Sequence, residues 1–202
     1  MERGRLFVIS GPSGTGKGTI CKAIMKDVNA VLSVSMTTRA PREGEIEGES
    51  YYFVTLEKFA KTVNEGGLLE HAKVYNDCYG TPKEPVEKSL AEGKDVFLEI
   101  DTQGALQIKE SYPSAVFIFI LPPSLEELEH RIRNRGTESA ADIEKRLSQV
   151  SGEVARLPKY DYCVVNDVLG DAVAKVETII SAEHSRVLPE YATEIISLFS
   201  SR

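Results

Sequence analysis

Near-continuous apolar segments that alternate with helical patterns predict an α/β fold, a three-layer, doubly wound parallel sheet with helices on both faces. A glycine-rich octet between the first of these segments and the first helix is the second observation. The third is that the alternation breaks over residues 36–82 and again over 128–150, which marks two excursions from the sheet.

The first strand is Leu6-Phe7-Val8-Ile9-Ser10, an apolar run stopped by glycine. The octet Gly11-Pro12-Ser13-Gly14-Thr15-Gly16-Lys17-Gly18 follows, then an amphipathic helix over Thr19–Lys26. Further strands are expected at Val31–Ser35, Asp95–Ile100, Ala115–Leu121 and Tyr162–Val165. Helices are expected at Val86–Glu92, Gln103–Lys109, Leu125–Asn134, Ala141–Ala155 and Ala172–His184. Ser124-Leu125-Glu126-Glu127 is a capping box, and Gly93 and Gly136 stand where helices stop.

The first excursion, Met36 to Pro82, has short aromatic, half-polar runs at Tyr51–Val54 and Leu68–Tyr75 with a short helix, Glu57–Glu65, between them. It predicts a small mixed α/β unit with an antiparallel sheet of its own. The second, Leu128 to Val150, is helical and carries Arg131, Arg133, Arg135 and Arg146. Residues 1–35, 83–127 and 151–202 are left as the core. Both excursions follow the carboxyl ends of strands, where open α/β sheets bind ligands.

Composition narrows the function classes. The 202 residues suit one domain with insertions, and 24 basic against 31 acidic residues give a net charge of −7, which argues against a nucleic-acid surface. The longest apolar run, Ala115–Leu121, is too short to span a bilayer, and the N-terminus has no apolar leader stretch. Cys21, Cys78 and Cys163 are far apart and read as free thiols, so no membrane and a cytoplasmic setting are expected. Monomer and homo-oligomer both stay open.

Strand, glycine-rich turn and helix carrying G-x-x-x-x-G-K form a phosphate-binding loop. Its glycines let successive amides point into one concavity, and the helix N-terminus adds a positive end there. Lys17 sets a flexible ammonium beside the outer phosphates of a nucleoside triphosphate. Gly18 stands where the full motif has Ser or Thr, and Thr19 falls on another helical face. Magnesium is therefore expected without direct side-chain ligation, held by phosphate oxygens, waters and a carboxylate elsewhere.

Arg39 and Arg42, three residues apart on a Pro-stiffened loop, suit two forks converging on one phosphate, with Tyr51 and Tyr79 as hydroxyl donors. Glu43, Glu45, Glu47 and Glu49 follow and can steady the arginines. The alternation of Leu68-Leu69-Glu70-His71-Ala72 leaves Glu70 open between an outward strand position and a pocket, and gives His71 an exposed one.

The loop, Ser35-x-x-x-Arg39-x-x-Arg42-x-Gly44-Glu45, Tyr51-Tyr52-Phe53-Val54, Glu70, Tyr79-Gly80-Thr81, Glu99-Ile100-Asp101-x-Gln103-Gly104, Pro122-Pro123-Ser124 and Arg135-Gly136-Thr137-Glu138 together resemble guanylate kinase. The match is collinear from Leu6 to Asp167. The resemblance implies a core, a GMP-binding domain over 36–82 and a lid over 128–150, transferring a phosphoryl group from ATP to GMP, and to dGMP, with magnesium. It implies that the octet and Thr19 bind ATP, with Asn166 near the base. Arg39, Arg42, Tyr51 and Tyr79 would hold the GMP phosphate, and Ser35, Glu70, Thr81 and Asp101 the guanine. Lys17, Arg39, Arg131, Arg135 and Arg146 take catalytic roles. Glu99, where relatives can have Asp, would serve the nucleotide or hydrated magnesium.

The chemistry of guanine agrees. Its adjacent N1–H and N2–H₂ donors suit one carboxylate, and adenine has no such pair. Two other functions compete: a catalytically silent module that binds phosphopeptides, and a kinase of this fold for another phosphorylated acceptor. The loop lysine and the arginines oppose the first, and Glu70 with Thr81 and Asp101 opposes the second. The arginines of the two excursions repel until anions lie between them, so an open empty site that closes on both nucleotides is expected, with hinges near Ser35, Lys83, Leu128 and Val150.

Overall fold

The computed structural model describes residues 3–25, 30–74, 76–134, 140–187 and 189–200, apart from the side chains of 140–142, 189–191 and 194. The main sheet comprises β1 (Leu6–Ser10), β2 (Ala30–Leu32), β7 (Asp95–Glu99), β8 (Val116–Leu121) and β9 (Tyr162–Val165), numbered in chain order. They lie in the order β2-β7-β1-β8-β9 and every pair is parallel. The central strands β1, β7 and β8 bury both faces, so their apolar residues divide between two cores. Phe7 and Ile9 pack with Ile20, Cys21 and Ile24 of α1 (Lys17–Ile24) and with Ala172, Val176 and Ile180 of α7 (Leu169–His184). Leu6 and Val8 meet Val86 and Leu90 of α3 (Lys83–Ala91) and Ala105 and Ile108 of α4 (Thr102–Ser111). The Phe7 and Phe97 rings stack at 4.8 Å. At about 1.5–3 kcal/mol for each large apolar side chain, this sandwich fixes the strand ends that carry the site.

The helix after the octet begins at Lys17, two residues earlier than its apolar pattern, because Gly16 with φ 89° is the N-cap. Cys21 is buried among apolar side chains, which pushes its thiol pKa up, and the three cysteines are unbridged.

The first excursion is a second sheet of β3 (Met36–Thr37), β4 (Tyr52–Phe53), β5 (Leu68–Val74) and β6 (Asp77–Pro82), in the order β4-β3-β6-β5, with α2 (Leu56–Asn64). The expected antiparallel sheet is mixed. β6 runs antiparallel to β3 and β5, but β3 and β4 are parallel. The loop from Thr38 carries the chain back before β4, so that Tyr52 N–H donates to Ser35 O and Val54 N–H to Thr37 O, both at 2.9 Å.

The second excursion falls within the helix pair α5 (Leu125–Asn134) and α6 (Ala140–Val154), which begins three residues before it and ends four after it. Leu128, Ile132, Ile143 and Val150 give it a small core of its own. Ser124 Oγ accepts from Glu127 N–H at 3.1 Å, half of the capping box, while Gly136 lies outside the described residues. A last helix, α8 (Pro189–Ser200), lies beyond those the sequence predicts. No described helix is long and apolar enough to cross a membrane.

Candidate active site

The octet wraps the start of α1 at the carboxyl end of β1. Gly11, Gly14 and Gly16 adopt φ of 136°, 92° and 89°, a region that L side chains avoid. A Cβ on Gly11 would also stand 2.2 Å from the carbonyl oxygen of Ile120. Thr15 Oγ1 donates to Pro12 O at 3.0 Å and locks the loop from inside. From below, Asn166 Nδ2 donates to Thr15 O at 2.8 Å. Lys17 Nζ arches over the loop and donates to Gly11 O and Pro12 O at 2.7 and 2.9 Å, so its ammonium stays over the amide concavity.

The helix pair reaches the loop at two places. Arg146 Nη1 of α6 donates to Ser13 Oγ at 2.5 Å, and the side chains of Leu128 and Ile132 close on Gly14. Arg131 lies outside the cleft. Its Nε donates to Glu127 Oε1 at 2.6 Å and its Nη1 to Asn166 O at 2.9 Å, which ties α5 to the strand end beneath the loop. Arg135 lies outside the described residues.

Across a cleft of about 330 Å³, the second sheet presents a cationic corner. Arg39 donates through Nε to the Tyr79 hydroxyl at 3.3 Å and through Nη2 to Glu45 Oε1 at 2.8 Å, and its guanidinium lies 5.5 Å from the Tyr51 ring centre. Glu45 Oε2 also accepts from Arg42 N–H at 2.7 Å, so one acid braces both arginines. The Arg39 ion pair holds the Glu45 carboxyl below the usual carboxylate range, and burial pushes the Tyr51 phenol up. Tyr51 therefore remains a neutral donor at neutral pH, and the Tyr79 hydroxyl stands beside it against Arg39.

Deeper in the cleft the register of β5 changes. Leu68 faces Pro82 and Glu70 faces Thr81, which leaves Leu69 as an extra residue. This bulge lets Leu69 reach the main core while Glu70, only 4% exposed, also points inward. The outward alternative for Glu70 is thereby excluded. Thr81 Oγ1, fully buried, donates to Glu70 Oε1 at 2.7 Å. Burial raises the Glu70 carboxyl to about 7; the Thr81 hydrogen bond opposes this, and the Asp101 charge adds to it. Asp101 Oδ1 caps α4 by accepting from Gln103 and Gly104 N–H at 2.6 and 3.0 Å. Glu99 faces Gly18, where a Cβ would lie 3.1 and 3.2 Å from its two oxygens.

The cleft thus gathers Gly11, Ser13, Gly14, Gly16, Lys17 and Gly18 from the loop and Arg146 from α6. Ser35, Arg39, Arg42, Tyr51, Glu70 and Tyr79 line it from the other side, with Glu99 and Asp101 between. Besides Arg131, five expected site residues among those described do not line it directly. Thr15 is buried within the loop, Thr81 sits behind Glu70, Asn166 lies beneath the loop, Thr19 is exposed, and Pro12 lends its carbonyl to Lys17.

Gln103, which the resemblance motif contains without a role, also lines the cleft, as do Gln149 and Glu153, which the sequence analysis does not single out. Burial raises the Glu153 carboxyl, against the pull of Lys17. A signal existed, since Glu153 follows Arg146 by seven residues and so lies two turns along the same helical face.

Comparison with known proteins gives a consistent result. The family model described as guanylate kinase matches residues 3–183. Guanylate kinase of Clostridium tetani is 56% identical over 187 residues, 93% of this chain and 90% of that protein. Guanylate kinase of Clostridioides difficile is 48% identical over 200 residues, 98% of this chain and 97% of its own. The crystal structure of guanylate kinase from Anaplasma phagocytophilum superposes with a TM-score of 0.78 at 34% identity, covering 92% of this chain and 89% of that one. This chain belongs to the guanylate kinase family.

Proposed function

We propose that this cleft binds ATP and GMP together and transfers the γ-phosphoryl group of ATP to a phosphate oxygen of GMP, giving ADP and GDP, with dGMP as an alternative acceptor. The observation that carries the reading is the placement of a buried carboxyl, Glu70 with Thr81, in the same cleft as the Lys17 loop. As a carboxylate, Glu70 accepts from guanine N1–H and N2–H₂, while adenine would leave it buried without a donor.

The remaining steps need position and charge more than covalent help. Loop amides and Lys17 hold the β- and γ-phosphates. Arg39, Arg42, Tyr51 and Tyr79 hold the GMP phosphate, which is already ionised and needs no base. Arg146, which already touches the loop at Ser13, spreads the charge of the moving group; Arg135 shares that task by resemblance. Arg131 acts at one remove, by fixing Asn166 and the loop's underside.

Magnesium neutralises phosphate charge when bound with ATP. The residues fit a hydrated ion. A side chain at position 18 would crowd Glu99, so this carboxylate takes the place beside the loop where a hydroxyl would stand, and it can accept from metal-bound waters. Among the described residues no group of three or more His, Cys, Asp and Glu side chains could hold a metal. The setting is taken to be the cytoplasm, which three free thiols suit.

Lys17→Met tests the catalytic part. The ammonium opposes charge that shifts during transfer, so kcat should fall at least about tenfold while GMP still binds. A variant that keeps more than about a tenth of the native rate would remove Lys17 from this role.

A further inference from the structure

The third residue of α4 is a glycine that sits against Glu70. A Cβ on Gly104 would stand 2.3 Å from Glu70 Oε2 and 2.9 Å from its Cδ, closer than real Cβ atoms come. Gly104 is absent from the positive-φ glycines, so the backbone does not require it, and glycine within a helix is a destabilising choice. Space for the carboxylate is what it supplies. One turn further on, Gln107 clasps the neighbour of Glu70. Gln107 Nε2 donates to His71 O at 2.7 Å, and Gln107 Oε1 accepts from His71 N–H at 3.1 Å. This side-chain amide occupies the open edge of β5, the outer strand of its sheet. It also joins the second sheet to the core directly beside the acid.

We propose that α4 is the template for base selectivity, with Gly104 and Gln107 as positioning residues that set where the Glu70 carboxylate meets the acceptor base. The gap at Gly104 fixes how deep the carboxylate lies, and the Gln107 clasp fixes the strand that carries it. Neither residue is credited with touching the base. The proposal rests on the reading of Glu70 given above.

Steady-state kinetics of Gly104→Ala, Gln107→Ala, Glu70→Asp, Glu70→Gln and Gly104→Ala/Glu70→Asp test it, with GMP and ATP varied in turn. Gly104→Ala displaces the carboxylate by about an ångström, the gap between 2.3 Å and ordinary contact, so the KM for GMP should rise at least tenfold. The KM for ATP should stay within twofold. Gln107→Ala should raise the GMP KM in the same selective way. Aspartate is one methylene shorter and vacates the space a new methyl needs. Glu70→Asp should therefore harm the native chain yet improve Gly104→Ala at least threefold in kcat/KM for GMP. A general packing defect does not predict that reversal.

An unchanged GMP KM in Gly104→Ala or Gln107→Ala overturns the proposal, as does a rise in Gly104→Ala that Glu70→Asp fails to relieve. Should Gly104→Ala be too unstable to assay, the double variant decides: active and selective for GMP supports the template, and inactive overturns it. If Glu70→Gln keeps the native GMP KM, the reading of Glu70 fails and the template fails with it. A failure confined to the position-104 and position-107 variants leaves that reading intact.

Discussion

Glu70 makes GMP binding a proton-linked event, and Glu70→Gln isolates it. Burial raises the Glu70 carboxyl to about 7 in the free protein. The guanine donors need the carboxylate, so only the ionised fraction is competent. That fraction is about one in eleven at pH 6 and about ten in eleven at pH 8. The apparent Kd for GMP should therefore tighten about tenfold over that interval, roughly 1.4 kcal/mol. The phosphate of GMP titrates near pH 6 as well, but equally in both proteins. Titration calorimetry of the native chain and Glu70→Gln at pH 6 and 8 removes that shared contribution. The native protein should show the steeper trend, and the variant should bind more weakly at pH 8. Superimposable pH trends would refute the argument.

The same group sets a stability trend. A carboxyl that is raised on folding favours the protonated fold, so its contribution is complete below the ordinary value of 4.5 and lost as pH rises through about 7. The shift corresponds to about 3 kcal/mol. Ligand-free Glu70→Gln should thus gain in Tm over the native chain between pH 5 and 8.

Two further outcomes follow from the division of the cleft. Arg39→Ala and Arg42→Ala should mainly raise the KM for GMP, by about 10- to 100-fold if each loses a charged hydrogen bond of about 1.5–3 kcal/mol, whereas Arg146→Ala should mainly lower kcat. Equal effects of both kinds on KM and kcat would contradict that split. Energy transfer between dyes on α2 and α6 should report approach of the two excursions when GMP and a non-hydrolysable ATP analogue bind together, and an unchanged distance would mean a preformed site.

The core was legible in the sequence because its strands are continuous apolar runs, as burial on both faces requires of β1, and β1 and β9 have the bounds those runs predict. α5 does too, since its start is written in a local cap. The second sheet was less legible. β3 is two residues long, and β6 contains Gly80 and Pro82, so neither carries a strand signature. The parallel β3–β4 pair depends on how the loop after Thr37 returns, which no local pattern encodes.

The loop motif was readable as a motif because its spacing is local. The inward aim of Glu70 was not, because a bulge at Leu69 breaks the alternation and the partner, Thr81, lies eleven residues away on the facing strand. Asn166 and Arg131 illustrate the same limit. Their contacts join segments 151 and 35 residues apart, so their place beneath the loop emerges only from the assembled sheet.

The central claim is that one cleft couples a phosphate-binding loop to a carboxylate that reads guanine. It is tested most directly by kcat/KM for GMP, AMP, UMP and CMP with ATP and magnesium, followed by coupled release of ADP. GMP should exceed AMP by at least about a hundredfold, since the wrong base leaves a buried acceptor unpaired. Comparable values for AMP and GMP would contradict the account.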